Sequence, residues 1–128
     1  MTEQNKPTTS ANNGDKNTTL AELREIVREF VAERDWQQFH SPKNLSMSLT
    51  IEAGELMEHF QWLTNEESNQ VACDPEAVAA AGEEIADVLC YLLGLANQLN
   101  LDLAGAFRDK MAKNRLKYPA EQFRGRYR

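Results

Sequence analysis

The sequence is poor in cysteine and histidine, with two of each, and it has no long apolar run. Two cysteines are too few to staple a small fold with disulfides. No uncharged apolar stretch approaches the ~18 residues that a membrane span needs. The polar N-terminus also lacks the apolar stretch of a secretory signal. We therefore expect a soluble, cytoplasmic protein with no membrane partner.

The charge is divided between two regions of opposite sign. The net charge is −6 over 128 residues, but residues 20–105 hold 16 acidic and four basic side chains, whereas residues 106–128 hold two acidic and eight basic ones. An acidic body repels phosphates. We therefore expect no nucleic-acid partner, and a phosphate-bearing ligand would need cations beside the acidic body.

Sustained alternation of apolar and polar residues, the signal of a strand, is absent as well. Capping residues instead start four helical segments, so the predicted fold class is all-α, with a four-helix bundle-type protomer. The helices are expected from Leu20 to about Asp35, from Pro42 to about Trp62, from Pro75 to about Leu99, and from the Asp102 cap to just before Tyr118. They form one domain over residues 19–119, between a flexible polar tail at 1–18 and a basic C-terminal end at 120–128.

Two apolar patterns indicate how the helices pack. The third helix has a core seam with alternating spacings of three and four, formed by Val78, Ala81, Ile85, Val88, Leu92, Leu95 and Leu99. The second helix has a leucine stripe and, on its opposite side, Met47, Ile51 and Gly54. A helix that is apolar on two sides is buried on two sides. Because four short helices offer few ways to do this alone, we expect an oligomer formed through helix packing.

Two pairs of carboxylates lie beside these apolar stripes. Glu52 and Glu55 are on the second helix, and Glu84 and Asp87 are on the third, each pair spaced by three residues. If the two helices pack antiparallel, the four groups converge. Four negative charges cannot share a desolvated site unless some are protonated or a cation is present. Oxygen ligands suit a hard cation, Mg²⁺ or Mn²⁺.

Other metal sites fit the sequence less well. A di-iron bundle needs a Glu-x-x-His pattern on two helices, and the only histidines are His40 and His59, neither on the third helix. The same lack of nitrogen and sulfur ligands argues against zinc hydrolysis. Cys73 and Cys90 are interpreted as ordinary thiols, with Cys90 facing away from Asp87. The alternative to a metal site is a solvated acidic face on a non-catalytic helical dimerisation or adaptor protein.

At these carboxylates the sequence resembles the MazG-like family of all-α nucleoside triphosphate pyrophosphohydrolases, and within it the dCTP pyrophosphatase branch. The family pattern of Glu-x-x-Glu followed by Glu-x-x-Asp reads here Glu52-Ala-Gly-Glu55 and Glu84-Ile-Ala-Asp87. The likeness runs from about Leu20 to Pro119. It includes the segments Glu33 to His40, Pro42 to Leu45, Phe60-Gln61-Trp62, Glu83 to Val88, and Lys110 through Asn114 to Tyr118-Pro119.

The resemblance implies a catalytic domain at 19–119 that hydrolyses a nucleoside triphosphate, dCTP or a related or modified pyrimidine deoxynucleotide, to the monophosphate and pyrophosphate. Glu52, Glu55, Glu84 and Asp87 would hold Mg²⁺, with Mn²⁺ as a substitute. The metal would activate the water that attacks the α-phosphorus. Glu55 and Glu52 would be the catalytic carboxylates. The resemblance also implies a homodimer or homotetramer with sites completed between subunits. A nucleotide sensor that binds without turnover is a further alternative.

Candidate ligands for the rest of a nucleotide lie outside the carboxylate motifs. Base-binding candidates are Trp36, Trp62, Tyr91, His40 and Asn44. Phosphate-binding candidates on the fourth helix are Lys110, Asn114, Lys117 and Tyr118, for which a solvated basic face is the alternative. One position departs from the family pattern. Relatives that prefer dCTP have a histidine where this chain has Val27, which leaves the base preference open.

Overall fold

The computed structural model describes residues 14–126, and within that range it contains helices and turns but no strand. Six α-helices follow in order, with 3₁₀ turns at Gln37–Phe39 and Val71–Cys73. The helices are α1 (Leu20–Glu33), α2 (Pro42–Glu58), α3 (Asn65–Gln70), α4 (Pro75–Gln98), α5 (Leu103–Lys117) and α6 (Ala120–Phe123). The all-α prediction is confirmed, and α1, α2, α4 and α5 are the four predicted helices.

The predicted caps are formed by side chains that satisfy the free backbone N–H groups of the first turns. Thr19 and Glu22 make the reciprocal capping box of α1. The side chains of Ser41, Asp74 and Asp102 accept hydrogen bonds at the starts of α2, α4 and α5. Local sequence therefore fixes where each long helix begins.

The ends of α1 and α4 are set by residues in the left-handed backbone region. Asp35 has φ 52° and Asn100 has φ 48°. After α1, the N–H of Asp35 donates to the carbonyl of Ala32 and that of Trp36 to the carbonyl of Val31. This pair of bonds is the Schellman motif, and Asn100 repeats it after α4. Both turns use a short polar residue that tolerates this conformation.

Three features differ from the sequence prediction. Helix α2 ends at Glu58 and not near Trp62, because residues 59–63 close into turns, with the N–H groups of both Phe60 and Gln61 donating to the Met57 carbonyl. Helix α3 was not predicted because its sequence, NEESNQ, has no apolar periodicity, although Thr64 and Glu67 cap it with a second capping box. Helix α6 is a single turn in the predicted C-terminal end.

The core lies where α4 packs against α2 and α1. Its buried side chains are Val27, Val31, Leu45, Ala81, Leu93 and Ala96. Leu45 and Leu93 are each only 2% exposed. Arg24 ties α1 to the end of α4, because its guanidinium donates to the side-chain oxygen of Asn97 and to the carbonyls of Ala96 and Leu101. These contacts hold α1 against the C-terminal end of α4.

The predicted core seam of α4 is only partly buried in the protomer. Ala81 is buried, but Val78, Ile85, Leu92 and Leu99 are exposed. The reason is that α5, which would complete a closed bundle, does not pack along another helix of the described range. It meets the core at its first residue, Leu103, which contacts the cluster of Val27, Val31 and Leu93. One side of α4 is therefore left uncovered by residues 14–126 of a single chain.

The terminal segments are described only in part. Most of the predicted tail lies outside the described residues, and its last residues contain a turn in which the Asn17 N–H donates to the Gly14 carbonyl. The predicted basic end begins with α6, and residues 127–128 lie outside the described range. Across residues 14–126, each helix is too short or too polar to cross a membrane.

Candidate metal centre and adjoining cavity

Three carboxylates from two helices meet at the contact between α2 and α4. Glu52 and Glu55 come from α2 and Glu84 comes from α4, and one oxygen of each lies within 4.8 Å of the others. The spacing of three residues places Glu52 and Glu55 on the same side of α2. Packing against α4 then brings Glu84 to them. The structure therefore brings together three of the four acids that the sequence singles out.

The two half-buried members of this group have unsatisfied atoms. The Oε2 atoms of Glu52 and Glu84 are buried and have no hydrogen-bond partner among the residues that the structure describes. An unpaired buried carboxylate oxygen is costly. Burial is the main cause of a rise in the pKa of Glu52 from 4.5 to about 7. A side-chain hydrogen bond with Glu55 and the negative charges of Glu55, Asp87 and Glu84 raise this pKa further. A cluster of oxygen donors with unsatisfied lone pairs fits a hard divalent cation.

Asp87, the fourth predicted ligand, is not part of the three-carboxylate group. It is exposed and lies three residues beyond Glu84 on α4. Its negative charge contributes to the raised pKa of Glu52 and of Tyr91, so the carboxylate is near both. Asp87 also lines the cavity next to the cluster. It stands at the border between the two parts of the site.

The adjoining cavity has a volume of about 260 Å³ and lies between α1 and α4. Its apolar wall includes Val27, Phe30, Val31, Leu45 and Gly94, and its remaining lining residues are Trp36, His40, Asp87, Cys90 and Tyr91. Three of the five predicted base-binding residues therefore line one cavity, and Asp87 connects it to the acidic cluster. Val27 is part of the wall, at the position where the sequence departs from the family pattern.

The aromatic part of the wall is held by local contacts. The rings of Phe30 and Trp36 meet edge to face, with centroids 5.7 Å apart and planes at 75°. The His40 ring is tilted against Trp36 at 6.2 Å. On α4, burial is the main cause of a raised pKa of Tyr91, followed by the charge of Glu52. The Tyr91 phenol therefore stays protonated and can donate a hydrogen bond.

Two predicted base-binding residues lie elsewhere in the protomer. Trp62 is 85% exposed on the turn after α2. The side-chain amide of Asn44 donates to the carbonyl of Phe39 at 3.0 Å, which ties the first 3₁₀ turn to α2. Asn44 therefore helps to position the loop that carries Trp36 and His40. Neither residue lines the cavity.

The predicted phosphate-binding residues are not brought to the carboxylates within one chain. Their contacts are local. The Asn114 amide donates to the sulfur of Met111, the Lys117 amino group lies over the ring of Tyr118, and that ring packs on Phe123. Lys110 forms no ion pair within the described residues. Because α5 does not pack along another helix, its basic face remains on the surface of the protomer.

Two residues near the site were not expected there. Cys90 lines the same cavity as Asp87, so the expectation that it faces away was wrong; three residues along a helix differ by only about 60° in direction. His59 places its Nε2 3.9 Å from Oε1 of Glu84. The signal for His59 was present in the sequence, because its spacing of four from Glu55 puts it on the same side of α2.

Several known proteins are similar to this chain over most of its length. A model of the MazG-like family matches residues 47–127, which include the carboxylates of both helices. The dCTP pyrophosphatase 1 of Rattus norvegicus is 47% identical over 107 residues, covering 84% of this chain and 63% of the relative. The dCTP pyrophosphatase 1 of Homo sapiens is 48% identical over 102 residues, covering 80% and 60%. The chain thus spans about three-fifths of the length of these curated relatives.

A solved structure agrees in fold over most of both chains. The crystal structure of a pyrophosphatase from Archaeoglobus fulgidus superposes with a TM-score of 0.72 at 42% sequence identity, covering 78% of this chain and 92% of that one. The family match extends over more than half of the chain and contains all four motif acids. From its sequence and its all-α fold, the chain belongs to the MazG-like family.

Proposed function

We propose that the chain is a Mg²⁺-dependent nucleoside triphosphate pyrophosphohydrolase, which converts a deoxynucleoside triphosphate to the monophosphate and pyrophosphate. One observation carries the proposal: a cluster of three carboxylates adjoins an aromatic-walled cavity of about 260 Å³, with Asp87 at their border. A triphosphate needs cations, and a base needs flat apolar walls. In this proposal the carboxylates hold the cations and the adjoining cavity holds the base.

The carboxylates divide into two kinds by exposure. Glu52 and Glu84 are half-buried and have unpaired oxygens, which suits them to hold the cation. Glu55 is exposed, so its carboxylate is open to water, and we assign it as the acceptor of the proton that the attacking water gives up. When bound, Mg²⁺ would supply positive charge for the phosphates and lower the pKa of a coordinated water, and Mn²⁺ would substitute for it.

The cavity residues position the nucleoside. Trp36 and Tyr91 supply aromatic faces on which a base can stack, and His40 supplies a polar edge. With the base there, the triphosphate extends past Asp87 toward the carboxylates. The names of the relatives support dCTP or a related pyrimidine deoxynucleotide as the substrate. Val27 cannot donate or accept a hydrogen bond, so this wall selects a base by shape.

A second copy of the chain completes the protein in this proposal. Met47 and Ile51 are exposed on α2 and line a shallow groove with Ser46 and Thr50. The uncovered side of α4 and the exposed Phe107 and Leu116 of α5 add further apolar surface. Apolar patches of this kind mark protein contacts. A homodimer or homotetramer would cover them, and it would allow α5 of one subunit to bring Lys110, Asn114 and Lys117 to the phosphates of another.

The test is pyrophosphate release from dCTP, dTTP, dUTP and dATP with Mg²⁺, compared with the same assay in EDTA. Glu55→Gln keeps the size of the side chain but removes the proton acceptor, so turnover should fall by about 10²-fold or more while helical content is retained. Glu58→Gln, on the same helix outside the cluster, is the matched control. Nucleotide binding without turnover in the wild type would indicate a sensor, and neither binding nor turnover would indicate an adaptor; either result refutes the proposal.

A further inference from the structure

A second cavity adjoins the aromatic-walled one. Its volume is about 140 Å³. One water occupies ~30 Å³ in the liquid, so the second cavity can hold a group of several heavy atoms. The residues that line both cavities are Val27, Val31, His40 and Gly94. A Cβ at Gly94 would stand 3.8 Å from the Val27 side chain, so glycine leaves the space beside Val27 open where the two cavities meet.

Helix α4 sets the order of the acidic cluster and the two cavities. Glu84 belongs to the three-carboxylate group, and Asp87 lines the first cavity. Further along the helix, Gly94 lines both cavities and Asn97 lines the second. At a rise of 1.5 Å per residue, Asn97 lies about 15 Å beyond Asp87 along the helix axis. A nucleotide with its phosphates at the carboxylates and its base in the first cavity therefore points the edge of the base remote from the sugar toward the second cavity.

The second cavity offers hydrogen-bond donors. No aspartate or glutamate of residues 14–126 lines it, although the body of the chain is acidic. The side-chain oxygen of Asn97 already accepts from Nε of Arg24 at 2.9 Å and from the Arg28 guanidinium at 3.2 Å. One N–H of the Asn97 amide is donated to the Arg24 carbonyl. Asn97 therefore has one N–H left to offer and no free lone pair on its side chain.

Arg28 supplies the positive charge of this cavity. A guanidinium has donors only. Its ion pair with Glu25 lies at the surface, with the two side chains 52% and 53% exposed, so this pairing is weak and exchangeable. A carboxylate or carbonyl in the cavity would thus meet donors from both Arg28 and Asn97, whereas an alkyl or ammonium group would leave them without an acceptor.

We propose that the second cavity is a specificity subsite for a substituent of the base and selects a group that ends in a carboxylate or carbonyl oxygen. The substituent passes beside Val27 and Gly94, and Arg28 and Asn97 donate to its oxygen atoms. The ligand class is a pyrimidine deoxynucleotide with such a group on the edge remote from the sugar, for example a carboxyl group at C5. The inference rests on the proposed function, which places the base in the first cavity.

The experiment compares 5-carboxy-dCMP with 5-methyl-dCMP, both with Mg²⁺, by calorimetric titration of the full chain. Monophosphates have the same base and sugar as the triphosphates but no pyrophosphate to release, so turnover does not disturb the titration. We expect the dissociation constant of the carboxy nucleotide to be lower by about tenfold, because charge-assisted hydrogen bonds are strong ones. The same comparison of 5-carboxy-dUMP with dTMP covers the uracil series.

Three variants assign the preference to the subsite. Arg28→Met keeps an unbranched side chain without the donors, so the two dissociation constants should come within about twofold of each other. Arg28→Lys keeps the charge and should retain part of the preference. Lys43→Met removes an exposed cation of α2 that lines neither cavity, and it should leave the preference unchanged.

Equal binding of the carboxy and methyl nucleotides to the wild type in both series, or binding of neither, would overturn the inference. So would a preference that survives in Arg28→Met with its helical content intact. A preference that Lys43→Met also abolishes would mean a general effect of charge and no subsite. Pyrophosphate release from dCTP tests the proposed function separately. A preference at Arg28 without any turnover would retain the subsite and refute the enzyme, and turnover without the preference would do the reverse.

Discussion

Glu52 and Glu84 approach each other from different helices, and each has a buried Oε2 atom that finds no hydrogen-bond partner within residues 14–126. The packing of α2 on α4, the main helix pair of the fold, therefore brings two carboxylates of like charge close together at the edge of the helix contact. This contact is unfavourable when both groups are ionised. Binding of a cation or protonation of one carboxylate relieves the repulsion.

A divalent cation should stabilise the folded chain. A ligand that binds only the folded state adds about 2.7 kcal/mol to the free energy of unfolding at 100 times its dissociation constant. We expect Mg²⁺ or Mn²⁺ to raise the melting temperature by several degrees, and Glu52→Ala to abolish most of that shift. Glu83→Ala removes an exposed acid next to Glu84 on α4, outside the three-carboxylate group, and should retain the shift. Equal metal-induced shifts in both variants would contradict a site at Glu52.

The metal-free chain should lose stability as the pH rises from about 4.5 to about 7. Burial and neighbouring carboxylates raise the pKa of Glu52 from 4.5 to about 7, so between these values the folded state binds more protons than the unfolded state. Under that condition the free energy of unfolding falls with increasing pH. Urea unfolding in EDTA at pH 5 and pH 8 measures this fall in the free energy of unfolding.

Glu52→Gln should flatten this pH dependence and make the metal-free chain more stable than wild type above pH 7. The amide has no charge to lose, so the repulsion from Glu55, Asp87 and Glu84 does not develop. Glu83→Gln is the control for an acid outside the cluster. A pH profile of Glu52→Gln that matches the wild type would show that another group is responsible.

Gly94→Ala should increase stability and weaken nucleotide binding. A Cβ at this position would lie 3.8 Å from Val27 and 3.9 Å from Leu45, which is ordinary contact. Replacing a glycine inside a helix by alanine stabilises by about 0.5–1 kcal/mol. The added methyl group also enters the cavity wall. At Gly82 a Cβ would have no described atom of another element within 4 Å, so Gly82→Ala should give the stability gain without a change in KM. An unchanged KM in Gly94→Ala would place the base elsewhere.

Trp36→Ala should raise KM for the triphosphate by roughly tenfold, because stacking of a base on an aromatic ring contributes about 1–3 kcal/mol. Phe39 lies in the same 3₁₀ turn, is exposed and does not line the cavity. Phe39→Ala therefore controls for loss of a loop aromatic. Steady-state kinetics give the KM of the Trp36→Ala and Phe39→Ala variants. The melting temperature of each variant checks that it is folded. The base pocket assignment fails if Phe39→Ala raises KM as much as Trp36→Ala does.

Ile51→Glu should shift the chain from an oligomer to a monomer. Ile51 is 62% exposed within a shallow apolar groove, and a charge placed in a covered contact would be desolvated without a partner. Light scattering coupled to size exclusion gives the mass. Lys43→Glu makes a larger change of charge on the same helix and should keep the wild-type mass. A wild-type mass of one chain at micromolar concentration would remove the basis of this prediction.

Local sequence predicted the features that depend on one helix at a time. Caps at Thr19, Ser41, Asp74 and Asp102 fixed the helix starts, since each satisfies backbone groups within its own turn. The spacing of three and the packing of α2 on α4 together explain why Glu52, Glu55 and Glu84 meet.

The features that the sequence did not predict depend on tertiary geometry. The direction of α5 after Asn100 decides where Lys110 and Asn114 lie, and no periodicity within α5 determines that direction. The turn after Glu58 likewise contains no glycine or proline from which it could be predicted. Its geometry nevertheless determines the directions of His59 and Trp62. Long-range packing thus sets the outer parts of the site.

The left-handed turn at Asp35 has a consequence for how this cavity can change during evolution. Its backbone geometry delivers Trp36 to the cavity wall, through the hydrogen bond from the Trp36 N–H to the Val31 carbonyl. Asparagine or glycine can replace Asp35 without altering that geometry, whereas a β-branched residue cannot adopt it without strain. A single exchange outside the cavity lining could therefore redirect its aromatic wall, so ligand preference can drift while every lining residue stays the same.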